Sequence, residues 1–182
     1  MVLDMAILPW KRVSSSIQVK TSIFSLETVH SRLEQTRQEH DFHIMRAPDW
    51  VNIIAVTEDE KIILIRQFRH GCACVTTEIP GGTVDPGEAP LTAAKRELSE
   101  ETGYEGGQWE QLGVVEPNPA FLTNNTYTFL ATGVRHVRAQ HTDEHEQIDV
   151  FERSWPEVLA MLGDGTIRHA LVVAAFAHWK LH

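Results

Sequence analysis

The order of apolar and polar positions divides the chain into a strand-rich first half, one helix, more strands and two closing helices. Residues 51–56 are an apolar run, residues 58–60 (Glu-Asp-Glu) a charged turn, and residues 61–68 a second run rich in β-branched side chains. Two such runs around a polar tip predict a hairpin. Residues 76–79 predict another short strand. It ends at Pro80-Gly81-Gly82, which reads as a tight loop where the strand is not expected to continue. Residues 89–103 predict a helix. Pro90 falls in its first turn, where a missing N–H costs little, and Gly103 at its end, where a left-handed residue is common. Strands are expected again near 109–115, 126–131 and 148–151, and helices near 156–162 and 167–181. The last helix is apolar on most faces (Leu171, Val172, Val173, Phe176, Trp179) and is expected to be buried against a sheet.

The first 45 residues are less regular. Ser14-Ser15-Ser16 marks a loop, residues 17–26 alternate in part as an edge strand would, residues 34–40 read as a polar turn, and residues 42–45 as a short strand. The pattern predicts an α+β sandwich. Its expected divisions are an N-terminal extension over 1–45 and a compact domain over 46–182.

Charge narrows the choice of partner. Sixteen Lys+Arg against 25 Asp+Glu give −9. An acidic chain without a basic stretch is poorly suited to holding nucleic acid by its phosphates, and one that handles phosphorylated substrates needs added cations. The longest apolar run, residues 170–177, is far short of the about 20 residues that span a bilayer, so no membrane role is expected. Cys72 and Cys74 form a lone C-x-C with no second pair to complete a zinc site. Near neighbours of this kind usually do not bridge each other, so they read as reduced thiols of a cytoplasmic protein.

The chemistry is concentrated between residues 81 and 104. Residues 81–88 (Gly-Gly-Thr-Val-Asp-Pro-Gly-Glu) make a bent, stiff loop feeding straight into the helix that carries Arg96, Glu97, Glu100 and Glu101. Glutamates at i, i+3 and i+4 share one helix face and repel one another, each close pair by a few tenths of a kcal/mol, roughly. A hard divalent cation with oxygen ligands, Mg²⁺ or Mn²⁺, is the natural compensation. The plain alternative is a solvated acidic face with Lys95 and Arg96 as local counter-charges.

The stretch resembles the Nudix hydrolase box. Gly82, Glu88, Arg96-Glu97-Leu98-Ser99-Glu100-Glu101-Thr102-Gly103 match every fixed position, and Tyr104 matches the last apolar slot loosely. The resemblance implies a Nudix-fold α/β/α sandwich with a mixed sheet, and hydrolysis of a nucleoside diphosphate linked to another group. It makes Glu97, Glu100 and Glu101 metal ligands, Glu97 and Glu101 also catalytic, and Gly81 a ligand through its carbonyl. Glu88 and Arg96 orient the glutamates.

The flanks are similar to the subgroup acting on ADP-ribose and other nucleoside diphosphate sugars. Gln67-Phe68-Arg69 followed by Glu78-Ile79-Pro80-Gly81-Gly82 carries that likeness, with Pro119 and the loop Thr142-Asp143-Glu144-His145-Glu146. It implies Arg69, Glu78 and Pro119 at the substrate, Glu144 as general base and Glu146 as a further carboxylate near the metal. Residues 120–125 (Ala-Phe-Leu-Thr-Asn-Asn) depart from the subgroup's Gly/Ser-rich segment, which leaves sugar and base open. The implied reaction is Mg²⁺-dependent cleavage of a nucleoside diphosphate sugar, ADP-ribose first, to a nucleoside monophosphate and a sugar phosphate. The alternatives are a hydrolase of nucleoside triphosphates or dinucleoside polyphosphates, and a non-catalytic sugar-nucleotide sensor on the same fold. Ile7, Leu8, Trp10, Ile17, Ile23, Phe24 and Leu26 need burial, so the extension is expected to build a homodimer, with Trp10 stacking on the base or anchoring the interface.

Overall fold

The computed structural model describes residues 7–141 and 147–182. The chain forms two compact units. One comprises residues up to Pro48 together with Asn118–Asn124, and the other Asp49–Pro117 with Asn125–His182.

The smaller unit is an antiparallel sheet of three strands in the order β1 (Lys11–Lys20), β2 (Ser25–Leu33), β3 (Gln38–Arg46). The expected single strand over residues 17–26 is interrupted by a bend at 21–24, between the end of β1 and the start of β2. The Thr21 N–H donates to the Phe24 carbonyl at 2.9 Å and the Thr21 hydroxyl takes over the Ile23 and Phe24 N–H groups. The serines expected to form a loop lie within β1, paired with Thr28, Val29 and His30. Polar composition misleads here because every residue of β1 is exposed, so the strand needs no apolar face within its own chain.

The larger unit is a seven-stranded mixed sheet. Its spine runs β10 (Ile148–Arg153), β5 (Ile62–Arg69), β4 (Trp50–Thr57), β9 (Thr126–His136), β8 (Tyr104–Val115); β6 (Cys74–Glu78) pairs with β5 and β7 (Gly81–Thr83) with β4. The β4–β9 pair is parallel and the other pairs are antiparallel. Alternation on β4 sends Val51, Ile53 and Ala55 to one face and Ile54 to the other. The first face packs Ala93, Ala94 and Leu98 of α1 (Pro90–Thr102), and the second packs Val158 of α2 (Trp155–Gly163) and Val172, Ala175 and Phe176 of α3 (Ala170–Leu181). The result is the expected α/β/α sandwich. Leu91 on α1 is exposed, while Ala93 lies in the core with Ala94 and Leu98.

Pro80-Gly81-Gly82 does not end the sheet. Gly81, Gly82 and Thr83 pair with Asn52, Val51 and Trp50. Glycine permits this because a Cβ at Gly81 would come within 2.3 Å of the Val51 carbonyl oxygen. The end of α1 matches its sequence signal: Gly103 takes φ 74° and its N–H donates to the Ser99 carbonyl.

Candidate active site

The acidic face of α1 is organised by one arginine. Arg96 donates to both carboxylate oxygens of Glu88 at 3.1 and 3.0 Å, to Glu97 at 2.8 Å, to Glu100 at 3.2 Å and to the Thr83 carbonyl at 2.9 Å. The Glu88 ion pair, helped by Glu97 and Glu100, holds the guanidinium above its ordinary pKa against the cost of partial burial. The same bidentate bond keeps the Glu88 carboxyl below the usual carboxylate range. Glu88 also accepts from the Asp85 N–H at 3.1 Å, which ties the loop before α1 to the helix face it feeds.

The glutamates are not equivalent. Glu101 is 6% exposed and accepts the Gly81 N–H at 2.9 Å. Glu97 and Glu100 are half-buried and share one nitrogen of Arg96. Gly82 makes room for Glu97: a Cβ there would lie 2.1 Å from the carboxyl carbon. Spacing alone does not separate a buried Glu101 from a half-buried Glu100. Contact with β7 does.

A second cluster lies at the β5–β6 hairpin. Arg69 clamps Glu78 with two bonds of 2.9 and 2.7 Å, and the Thr76 hydroxyl adds a third at 2.6 Å. Glu78 is 2% exposed. Burial alone would raise its pKa, but the Arg69 and Thr76 bonds outweigh burial and leave it lowered. The His169 Nδ1 lies 3.9 Å from Glu78 with no hydrogen-bond partner, and burial depresses that imidazole despite the nearby carboxylate. Trp50, Arg69, Cys72, Arg168 and His169 border one cavity of about 600 Å³. In the sequence the only signal for His169 is its position just before an apolar helix.

The other anticipated site residues fall elsewhere. Trp10 and Pro119 belong to the smaller unit, where the Trp10 ring meets Phe42 edge-on at 5.3 Å. Glu144 and Glu146 lie outside the described residues. The chain just before them is fixed: the His141 N–H donates to the Glu100 carbonyl at 2.9 Å and the Gln140 amide to the Glu101 carbonyl at 2.6 Å.

The donor chemistry suits a hard divalent cation, since the box offers carboxylate oxygens one helical turn apart. Among the described residues no three acidic, His or Cys side chains form a ready cage. Glu97 and Glu100 nevertheless both reach one Arg96 nitrogen, so a single positive centre can meet both.

Fold and site together define an α/β/α sandwich whose acidic helix is docked on a glycine strand. The NUDIX domain family matches residues 46–176. The chain is 34% identical over 139 residues to the methanol dehydrogenase activator of Bacillus methanolicus, covering 76% of this chain and 75% of that protein. It is 30% identical over 139 residues to the ADP-ribose pyrophosphatase of Bacillus subtilis (strain 168), with the same coverage. A crystal structure of an ADP compounds hydrolase superposes with a TM-score of 0.84 over 96% of this chain and 94% of that one; at 22% identity this is a likeness of fold. The chain belongs to the Nudix hydrolase family. It is an enzyme of a family that generally requires a divalent metal. No helix among the described residues is long and apolar enough to cross a membrane.

Proposed function

We propose that the protein hydrolyses the pyrophosphate bond of a nucleoside diphosphate sugar, ADP-ribose first among them, with Mg²⁺, to give a nucleoside monophosphate and a sugar phosphate. The observation that carries this is the Arg96-centred acidic face docked on the Gly81–Gly82 strand. The printed activities of the relatives support the substrate class: ADP-ribose pyrophosphatase at 30% identity, and GDP-mannose pyrophosphatase of Enterobacter sp. (strain 638) at 31%.

In this reading Glu97, Glu100, Glu101, the Gly81 carbonyl and Glu146 hold the metal. Bound there, the cation neutralises pyrophosphate oxygens and lowers the pKa of the attacking water. Arg96 and Glu88 fix the glutamates before substrate arrives, which reduces reorganisation during reaction. Glu144 takes the proton of the water as it adds to phosphorus; the anchoring of His141 and Gln140 on the end of α1 brings the chain to the acidic face just before it. Arg69, steadied by Glu78, faces the substrate phosphates or ribose; Pro119 is a further substrate contact, and Trp10 stacks on the base or anchors the dimer interface.

The working unit is a homodimer built on the extension, without nucleic acid and in the cytoplasm. Its support is the smaller unit's lack of a core. Among the described residues Val29 is its only buried apolar side chain, while Val13, Ile17, Val19 and Ile23 stand exposed. That is more apolar surface than a free sheet of three strands normally shows.

Release of phosphate-bearing products is to be measured across ADP-ribose, GDP-mannose, UDP-glucose, a dinucleoside polyphosphate and a nucleoside triphosphate, with Mg²⁺ and Mn²⁺. A diphosphate sugar is expected to be turned over fastest. A triphosphate or dinucleotide in first place overturns the substrate class. Glu144→Gln is expected to lower kcat by about 10²–10⁴ at nearly constant KM. If Glu146→Gln is the severe variant instead, the two roles are exchanged.

A further inference from the structure

We propose that Cys72 and Cys74 form a reversible dithiol modification site, oxidised to a disulfide by a hydroperoxide, and that its closure loosens the Arg69–Glu78 clamp and weakens substrate binding. The last step rests on the substrate role of Arg69 proposed above; the thiol chemistry does not.

The sulfurs are already gathered. They lie 3.1 Å apart at the tip of the β5–β6 hairpin, about 1 Å beyond the length of a disulfide bond. Both thiols are free, as expected, and they come this close because Ala73, between them, takes φ 49°. That left-handed conformation is uncommon for a residue with a Cβ, and it folds the tip back on itself. The Ala73 N–H donates to the His70 carbonyl and the Cys72 N–H to the Arg69 carbonyl, both at 3.3 Å. Free cysteines usually serve as small buried hydrophobes, but Cys72 is exposed and Cys74 half-buried, so packing does not account for the pair.

The surroundings favour a reactive sulfur. The Arg168 guanidinium donates to Cys74 Sγ at 3.1 Å. The Cys72 thiol, and then Arg168, hold the Cys74 thiol below its ordinary pKa. The Cys74 thiolate attacks the hydroperoxide, the O–O bond breaks, and the oxygen stays on Cys74 as a sulfenic acid while the other fragment leaves as water or an alcohol. The Cys72 sulfur then attacks Cys74. An S–S bond forms, the S–O bond breaks, and that oxygen leaves as water. Two thiols are oxidised and the peroxide is reduced.

The coupling follows from register. Cys74 is the cross-strand partner of Arg69, and the Cys72 thiol lies 3.5 Å from the Arg69 carbonyl. Drawing the sulfurs together pulls on both attachments of Arg69 to the tip. It also removes the thiolate from Arg168, which lines the same cavity as Arg69 and Cys72. Both effects act on residues that border the space beside Glu78.

Full-length reduced protein is to be treated with hydrogen peroxide and examined by intact mass, by hydrogen exchange of the β5–β6 hairpin and by steady-state kinetics on the best diphosphate sugar. Wild type is expected to lose the mass of two hydrogens, to exchange faster at the hairpin, and to show KM raised at least about fivefold with kcat changed by less than about twofold. A thiol reductant is expected to reverse all three. Cys72→Ser and Cys74→Ser are each expected to show neither the two-hydrogen loss nor any oxidant-dependent change in exchange or KM. Absence of the intramolecular disulfide overturns the proposal. So does a disulfide with unchanged hairpin exchange or unchanged KM, or the same response in the serine variants. Lack of turnover of any diphosphate sugar by the reduced protein overturns the substrate reading instead. The mass and exchange measurements then decide the switch, with exchange unchanged by oxidation counting against it.

Discussion

At the residue scale the two glycines of β7 separate into two kinds. A Cβ at Gly81 would meet backbone, the Val51 carbonyl oxygen at 2.3 Å, whereas a Cβ at Gly82 would meet the end of a side chain, the Glu97 carboxyl. Backbone in a central sheet cannot give way, but a glutamate can swing aside. Gly81→Ala is therefore expected to destabilise the fold by about 1–3 kcal/mol, the ordinary cost of overpacking. Gly82→Ala is expected to leave stability within about 1 kcal/mol while cutting kcat by about tenfold or more, because it displaces Glu97, one of the glutamates proposed to hold the metal. Thermal melts read with kcat for the two variants check this. Equal effects of both on stability would show that Glu97 is as fixed as the backbone.

At the element scale the β5–β6 hairpin should be acid-sensitive. Glu78 is held below its unfolded pKa, so its contribution is complete above the ordinary carboxylate range and is lost as pH falls through its lowered folded value. His169 is also held below its unfolded value, so the fold favours its neutral form and loses stability as pH falls below the ordinary imidazole range. Both groups act in the same direction: stability declines on acidification, first with the histidine and then with the glutamate. Glu78→Gln is expected to lose about 2–3 kcal/mol at neutral pH, because Arg69 keeps its charge and loses its clamp. Below the carboxylate range it is expected to differ little from wild type. Denaturant melts across a pH series check the slope; parallel curves for variant and wild type would remove Glu78 from the acid response.

At the scale of the whole molecule the question is what covers the three-stranded sheet. Its buried charge is well met: Glu27, 4% exposed, takes Arg46 at 2.5 Å and is paired with Arg12. Its apolar side chains are not, with Ile17 at 62% and Ile23 at 66% exposure. A two-fold dimer burying more than about 2,000 Å² is expected, in the range of obligate interfaces. Light scattering at micromolar concentration reads it directly, and a monomer removes the dimer. Deleting residues 1–40 is expected to cost solubility and activity together. A soluble, fully active truncation would show the extension to be an accessory.

The sequence by itself determined the parts whose cause is local. α1 starts at Pro90 and ends at Gly103 because imide geometry and a left-handed glycine act within one turn. The β4–β5 hairpin follows from two apolar runs around a charged tip. Glu97, Glu100 and Glu101 share a helix face by periodicity alone, and the family could be read from their spacing to Gly82 and Glu88. Tertiary structure decided what depends on contacts distant in the chain. β4 draws Gly81 and Gly82 into the sheet, which buries Glu101 and leaves Glu100 half-open. Arg96, expected to orient the glutamates, is fixed by its bonds to Glu88 and to the Thr83 carbonyl, which decide which carboxylates it joins. His169 meets the Arg69–Glu78 clamp from a helix start 91 residues after Glu78 in the chain. Ala73 brings within 3.1 Å two thiols that their C-x-C spacing alone does not bring together. These features are set by which backbone lies against which, and hydrophobic periodicity carries no record of that.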